Sequence, residues 1–187
     1  MKRWLKLGLA TLALAAGVHF AVVWAVPRLI LRQVISGVSR GVGINAALHA
    51  SKPTAASRDV VLPSPDLLYT ICAFDVSARP VKLTATVPDD TYWSLSLYAD
   101  NTDNFFVVND RKMAGKSFTV NLVEAADSVQ TSAEIIAVPP NTDASQAAFL
   151  VRSPSKRGIA LFRILVDREE RLGALRDVQK QAACTSL

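Results

Sequence analysis

Between Tyr92 and Tyr98 apolar and polar residues alternate: Trp93, Leu95 and Leu97 fall on one side, and Tyr92, Ser94, Ser96 and Tyr98 on the other. Period two belongs to a strand with one face in a core, and the second face here is polar and aromatic, suited to solvent or a partner. The run Asn-Thr-Asp-Asn at 101–104 predicts a turn, because Asn and Asp bond their own backbone and tolerate left-handed conformations. Residues 105–108 then predict the returning strand of a hairpin. Further short strands are predicted over residues 68–75, 81–87, 117–122, 134–138, 147–151 and 159–166. Their spacing, with no long helix between them, argues for an antiparallel β-sandwich or jelly roll and against a parallel α/β sheet. Pro80, Pro88, Pro139, Pro140 and Pro154 fall at predicted strand ends, where a missing N–H does no harm.

The two ends of the chain have a different texture. Residues 7–26 carry no charge and are almost entirely apolar. At 1.5 Å per residue they span roughly 30 Å, enough to cross a bilayer core. Lys2, Arg3 and Lys6 precede the run, so the positive-inside rule puts the N-terminus in the cytoplasm and the rest outside. A cleavable signal peptide is the rival reading, but the run exceeds the length of a signal core, which favours an uncleaved anchor. Beyond Pro27, Ile30, Leu31, Val34, Ile35, Val38 and Val42 recur at three- and four-residue steps opposite Arg28, Arg32 and Arg40. Such a helix either lies on anionic lipid or packs on its own domain, and Gly41 and Gly43 suit its end. Residues 50–57 read as a linker. The resulting division is an anchor over 1–27, an amphipathic helix and linker over 28–59, and a β-domain over 60–187. A C-terminal helix is expected, capped by Asp167 with Glu170 reaching back, and carrying Leu172, Leu175 and Val178 on one stripe.

The net charge of +5 is uneven: three lysines and arginines precede Pro27, leaving 18 basic against 16 acidic residues for the remainder. So balanced a domain gives no electrostatic reason to bind nucleic acid. Cys72 and Cys184 either pair, as thiols outside the cytoplasm commonly do, or remain a buried Cys and a tail Cys. Asp66, near Tyr69 and Asp75, and Asp103 in the hairpin turn are the candidate catalytic carboxylates; turn-capping is the rival role. Residues 100–104 gather oxygen ligands but lack the order of a calcium loop, so no metal site is expected. His19 and His49 are the only histidines, which disfavours a His-based triad, and no cofactor-binding motif occurs. Tyr69, Tyr92, Trp93 and Tyr98 are the candidate ligand-binding residues, since aromatic faces stack flat ligands; filling a core is the rival role.

The segments Leu-Pro-Ser-Pro-Asp-Leu-Leu-Tyr at 62–69, Phe74-Asp75, Tyr92-Trp93-Ser94, Asp-Asn-Thr-Asp-Asn-Phe-Phe at 100–106 and Leu161-Phe162-Arg163 resemble a bacterial family, the domain of unknown function numbered 1254. The resemblance covers most of residues 60–165 and is closest to short, membrane-anchored members. It implies a β-sandwich, an exported location and no established reaction. Members often occur beside a companion family numbered 1214, which makes a protein partner plausible. The leading expectation is thus a non-enzymatic binding module, held in the bacterial inner membrane by a single span with its C-terminal domain in the periplasm. A carboxylate-dependent hydrolase using Asp66 and Asp103 is the alternative.

Overall fold

A strand whose two faces differ in polarity needs a second sheet for its apolar face, and that pairing organises this chain. The computed structural model describes residues 2–58, 62–113, 115–125, 134–135 and 146–187. Two sheets of five strands face each other. The first has the order β1 (Ala47–His49), β2 (Leu67–Asp75), β9 (Arg157–Leu165), β4 (Trp93–Ala99), β5 (Asn104–Asn109). The second runs β10 (Ala183–Ser186), β3 (Val81–Thr86), β6 (Ser117–Glu124), β8 (Gln146–Ser153), β7 (Glu134–Ile135). The β-sandwich expected from the alternation is the observed architecture. One pairing departs from the antiparallel expectation, because β6 and β8 run parallel over eight register positions. The predicted strand at 134–138 is seen as Glu134–Ile135, and residues 136–138 lie outside the described residues.

The inner faces meet in an aromatic cluster. Trp93, 2% exposed, lies 5.6 Å from Phe118 and 6.3 Å from Phe162, measured between ring centroids. Leu95, Leu97, Val120, Leu122 and Ile164 complete the interior around it. Paired with Phe74 and Ala99, Gly158 leaves room that a Cβ would take from the Tyr98 carbonyl and the Phe74 ring. Cys72 of β2 and Cys184 of β10 form a disulfide that joins one sheet to the other.

The N-terminal run and the helical pattern beyond Pro27 form one helix, α1 (Lys2–Val42), about 60 Å long at 1.5 Å per residue. A proline within a helix removes one backbone hydrogen bond and costs about 3 kcal/mol. Here packing offsets it, because Leu31, Ile35 and Val38 bury against Ala73 and Ile159 of the first sheet. Of the two readings of this amphipathic segment, the structure shows the helix packed on its own domain. The charge-free stretch is by contrast fully exposed, and α1 is long and apolar enough to cross a membrane. The helix ends at Gly43, whose φ of 93° is the left-handed conformation that glycine adopts without cost.

Two further departures concern chain ends. The stretch read as linker is preceded by β1, which pairs with β2 and places His49 in the sheet. Asp167 does not cap the C-terminal helix. A 3₁₀ turn (Glu169–Arg171) leads into α2 (Leu172–Lys180), and neither has a side-chain cap. The Asp167 carboxylate instead takes two 3.0 Å hydrogen bonds from Arg171. An Arg four residues on is a stronger partner than an orphan amide, since both groups are charged and its Nη1 reaches both carboxylate oxygens. The four-residue β10 that follows α2 was not legible as a strand.

Candidate functional site

The outer face of the first sheet is a grid of three strands. The register aligns Tyr69, Ile71 and Ala73 of β2 with Arg163, Leu161 and Ile159 of β9. Ser94, Ser96 and Tyr98 of β4 stand against the same three β9 residues. α1 covers the apolar corner at Ala73 and Ile159. This is why Ala73 is buried although it points away from the sandwich core, and why β2 and β9 carry apolar residues on both faces.

Arg163 is the polar centre of the grid. Its Nε donates to Ser94 Oγ and its Nη2 to Ser96 Oγ, both at 3.2 Å. The two hydroxyls, expected on a solvent face, are buried beneath the guanidinium and hold it in place. No carboxylate among the described residues pairs with Arg163. Between α1, the segment from Ala50 to Ser57 and this grid lies a cavity of about 610 Å³. That is a size typical of small-molecule sites. Ile30, Leu31 and Val34 of α1 wall one side; Ile71, Ile159 and Leu161 floor it; Arg163, Tyr69, Tyr98 and Lys52 supply its polar points. Lys52 is already engaged by Glu169.

The candidate residues are distributed unequally around this groove. Tyr69 and Tyr98 line it, and the Tyr69 hydroxyl also accepts a 2.9 Å hydrogen bond from the Ser64 amide, closing a strand corner. Trp93 is unavailable to a ligand, since it is packed between the sheets. Tyr92 is exposed and does not line the groove. Asp66 precedes Leu67, which pairs with Leu165, whereas Asp103 bonds Ala99, which pairs with Gly158. Those partners are seven residues apart on β9, or about 23 Å at 3.3 Å per residue. Two carboxylates that far apart cannot act on one bond as acid and base. In the hairpin turn Asp103 is occupied locally: Asn101 Nδ2 donates to its carboxylate at 2.5 Å, and its own amide donates to Asn101 Oδ1 at 3.1 Å. Among the described residues no three His, Cys, Asp or Glu side chains gather as a metal site requires.

Asp75 and His49 are the perturbed groups at the sheet's edges. Partial burial pushes the Asp75 carboxyl up, but hydrogen bonds from the Ser77 hydroxyl and amide, with Arg157 beside it, hold it below the usual range. His49 is lowered by partial burial and then by nearby Lys180, and its ring nitrogen lies 3.0 Å from the Thr70 hydroxyl. Both groups serve the fold; neither lines the groove.

A sequence profile of the family described as "Protein of unknown function (DUF1254)" matches residues 44–186. The chain belongs to the DUF1254 family. The match takes in every strand from β1 to β10 and stops short of α1, so one wall of the groove lies outside the region that defines the DUF1254 domain. The crystal structure of the VPA0106 protein from Vibrio parahaemolyticus is similar in fold, with a TM-score of 0.61 and 15% identity over 89% of this chain and 37% of that one. An uncharacterized protein from Burkholderia cenocepacia gives a TM-score of 0.44 at 17% identity, over 66% of this chain and 32% of that one. This DUF1254 chain thus spans about a third of the length of these solved neighbours. No relative was found among curated proteins.

Arg163 and the Ser94–Ser96 pair were missed because a polar residue at every second strand position reads as an ordinary wet face. The signal that could have found them is the neighbouring Ile71, Ala73, Ile159 and Leu161, which make both faces of β2 and β9 apolar and so require a cover.

Proposed function

We propose that this DUF1254 chain is a membrane-tethered binding module, with its β-sandwich on the periplasmic face of a bacterial inner membrane and an envelope partner or ligand in the groove beside α1. The groove carries the reading: a largely apolar cavity with one uncommitted guanidinium is built for binding. The basic residues before the span support this compartment, as does a disulfide, which persists where the environment is oxidising. A protein of the companion family 1214 is one occupant that the family resemblance suggests.

The test places a photoreactive benzoylphenylalanine at Tyr98, on the groove, and separately at Thr119, on the outer face of the second sheet, in the full chain in living cells. Illumination is expected to give a covalent adduct of defined mass from position 98 and none from 119. No adduct from position 98, or equal adducts from both, would overturn the binding reading. A reporter fused at Leu187 and active in the cytosol would overturn the orientation.

A further inference from the structure

Arg163 poses a specific chemical question. A guanidinium has five N–H donors, and here two are taken, by Ser94 and Ser96. Three remain, on Nη1 and Nη2, and the groove supplies no carboxylate for them among the described residues. Side-by-side donors on a planar cation match the two oxygens of a carboxylate, and two buried serines fix the plane so that little order is lost on pairing. The remaining lining is aliphatic: Ile30, Leu31, Val34, Ile71 and Leu161.

The position of the groove supplies the second constraint. Ile30 and Val34 lie four and eight residues beyond Val26, the end of the uncharged run, on the same unbroken helix. That is about 6 and 12 Å along the axis, which puts Ile30 within a headgroup layer about 5–8 Å deep and Val34 just beyond it. An acyl chain in the adjoining leaflet therefore has a short apolar path into the groove.

We propose that this groove holds a single-chain amphiphile with a carboxylate head, a long-chain fatty acid taken from the adjoining leaflet, with Arg163 pairing its head. The inference rests on the binding reading above and names the ligand class for the same cavity. It also dictates where the selectivity lies. An acyl chain moving from a leaflet into an aliphatic groove exchanges one apolar surrounding for another, so burial of the chain gives no preference. The head decides. A fatty acid is retained by the guanidinium, while a fatty alcohol of the same length is not.

The experiment uses the full chain in phosphatidylcholine nanodiscs, labelled in parallel with diazirine-bearing palmitic acid and with the corresponding diazirine-bearing hexadecanol, followed by mapping of labelled peptides. The acid is expected to label residues 30–34 and 159–163 at least 10-fold more than the alcohol does, the discrimination of a charge-assisted pair. Both probes are expected to label residues 7–26 equally. Arg163→Met should remove the 10-fold preference while labelling of 7–26 is unchanged. Leu161→Trp, which fills the groove and keeps the guanidinium, should exclude the acid as well, and serves if Arg163→Met fails to fold. Equal labelling of the groove by acid and alcohol, or a preference that survives Arg163→Met in a folded protein, would overturn the proposal. If the acid fails while position 98 still yields a protein adduct in cells, the fatty acid falls and the binding module stands; if both fail, both fall.

Discussion

Cys72 and Cys184 close a loop of 112 residues, and they do so between the two sheets rather than within one. For a loop of that length the chain-entropy relation gives about 4.8 kcal/mol of stabilisation, acting mainly by restricting the unfolded chain. A folded unit of roughly 140 residues unfolds with an entropy near 0.3 kcal/mol per degree, so losing the closure lowers Tm by about 16 °C. The perturbation is the double variant Cys72→Ala/Cys184→Ala, with both positions buried in the native chain. Near-ultraviolet circular dichroism of the full chain in mild detergent follows the melt, because the Trp93, Phe118 and Phe162 cluster contributes to that signal. Hydrogen exchange adds a local readout. Among the described residues β10 pairs only with β3, so amides at 183–186 should exchange faster in the variant, while those of β9 between its two neighbours change less. A fall in Tm of under about 5 °C, with β10 exchange unchanged, would refute loop closure as what holds β10 and α2 to the sandwich.

Other expectations follow from single contacts. Gly158→Ala drives a Cβ into the Tyr98 carbonyl and the Phe74 ring, and should cost about 1–3 kcal/mol, read as a lower urea midpoint at unchanged slope. Gln179 is buried and donates to the Ala50 and Tyr69 carbonyls at 3.1 and 2.8 Å; Gln179→Leu strips both, for a loss of about 1–3 kcal/mol in the same assay. Asp75, held below its ordinary value of 3.8, contributes stability above that value and loses it as pH falls through the lower folded pKa. Urea midpoints should therefore fall more steeply below pH 3.8 for wild type than for Asp75→Asn, and parallel curves would refute the assignment.

How much of this was legible depended on whether a signal was local. The alternation from Trp93 to Leu97 specified both strand and core face, since period two with large residues on one side has a single packing solution. The Asx-rich turn was equally plain, down to Thr102 at φ 74°. The other face of the same strand was read only as suited to solvent or a partner, because what buries Ser94 and Ser96 is a guanidinium from β9, 69 and 67 residues away. Long-range cover leaves no mark on local period. The same reason explains Pro27: its intrinsic penalty favours a break, and only the docking of Leu31, Ile35 and Val38 keeps the helix whole. Asp66 and Asp103 looked like a pair in one dimension, and strand register puts them at opposite ends of β9.

The unbroken helix has a consequence for how the site works. Residues 7–26 are apolar on every side, so a bilayer would constrain the depth of this segment and be indifferent to its rotation about its own axis. Rotation is fixed at the other end, where Leu31, Ile35 and Val38 must face Ala73 and Ile159. With α1 in a bilayer, helical continuity through Pro27 would transmit depth one way and orientation the other, and would hold the groove at a set height above the lipid with its α1 wall turned inward. Arg28 reinforces the junction, with its guanidinium 4.5 Å over the Trp24 ring and 2.7 Å from the Trp24 carbonyl. The sheet half of the groove, with Arg163, its serines and the aliphatic floor of Ile71, Ile159 and Leu161, belongs to the DUF1254 domain; the wall of Ile30, Leu31 and Val34 belongs to α1. Cutting the domain free at residue 44 would keep the cation and the aliphatic floor and remove only the α1 wall, so the contribution of that wall can be measured apart from that of Arg163.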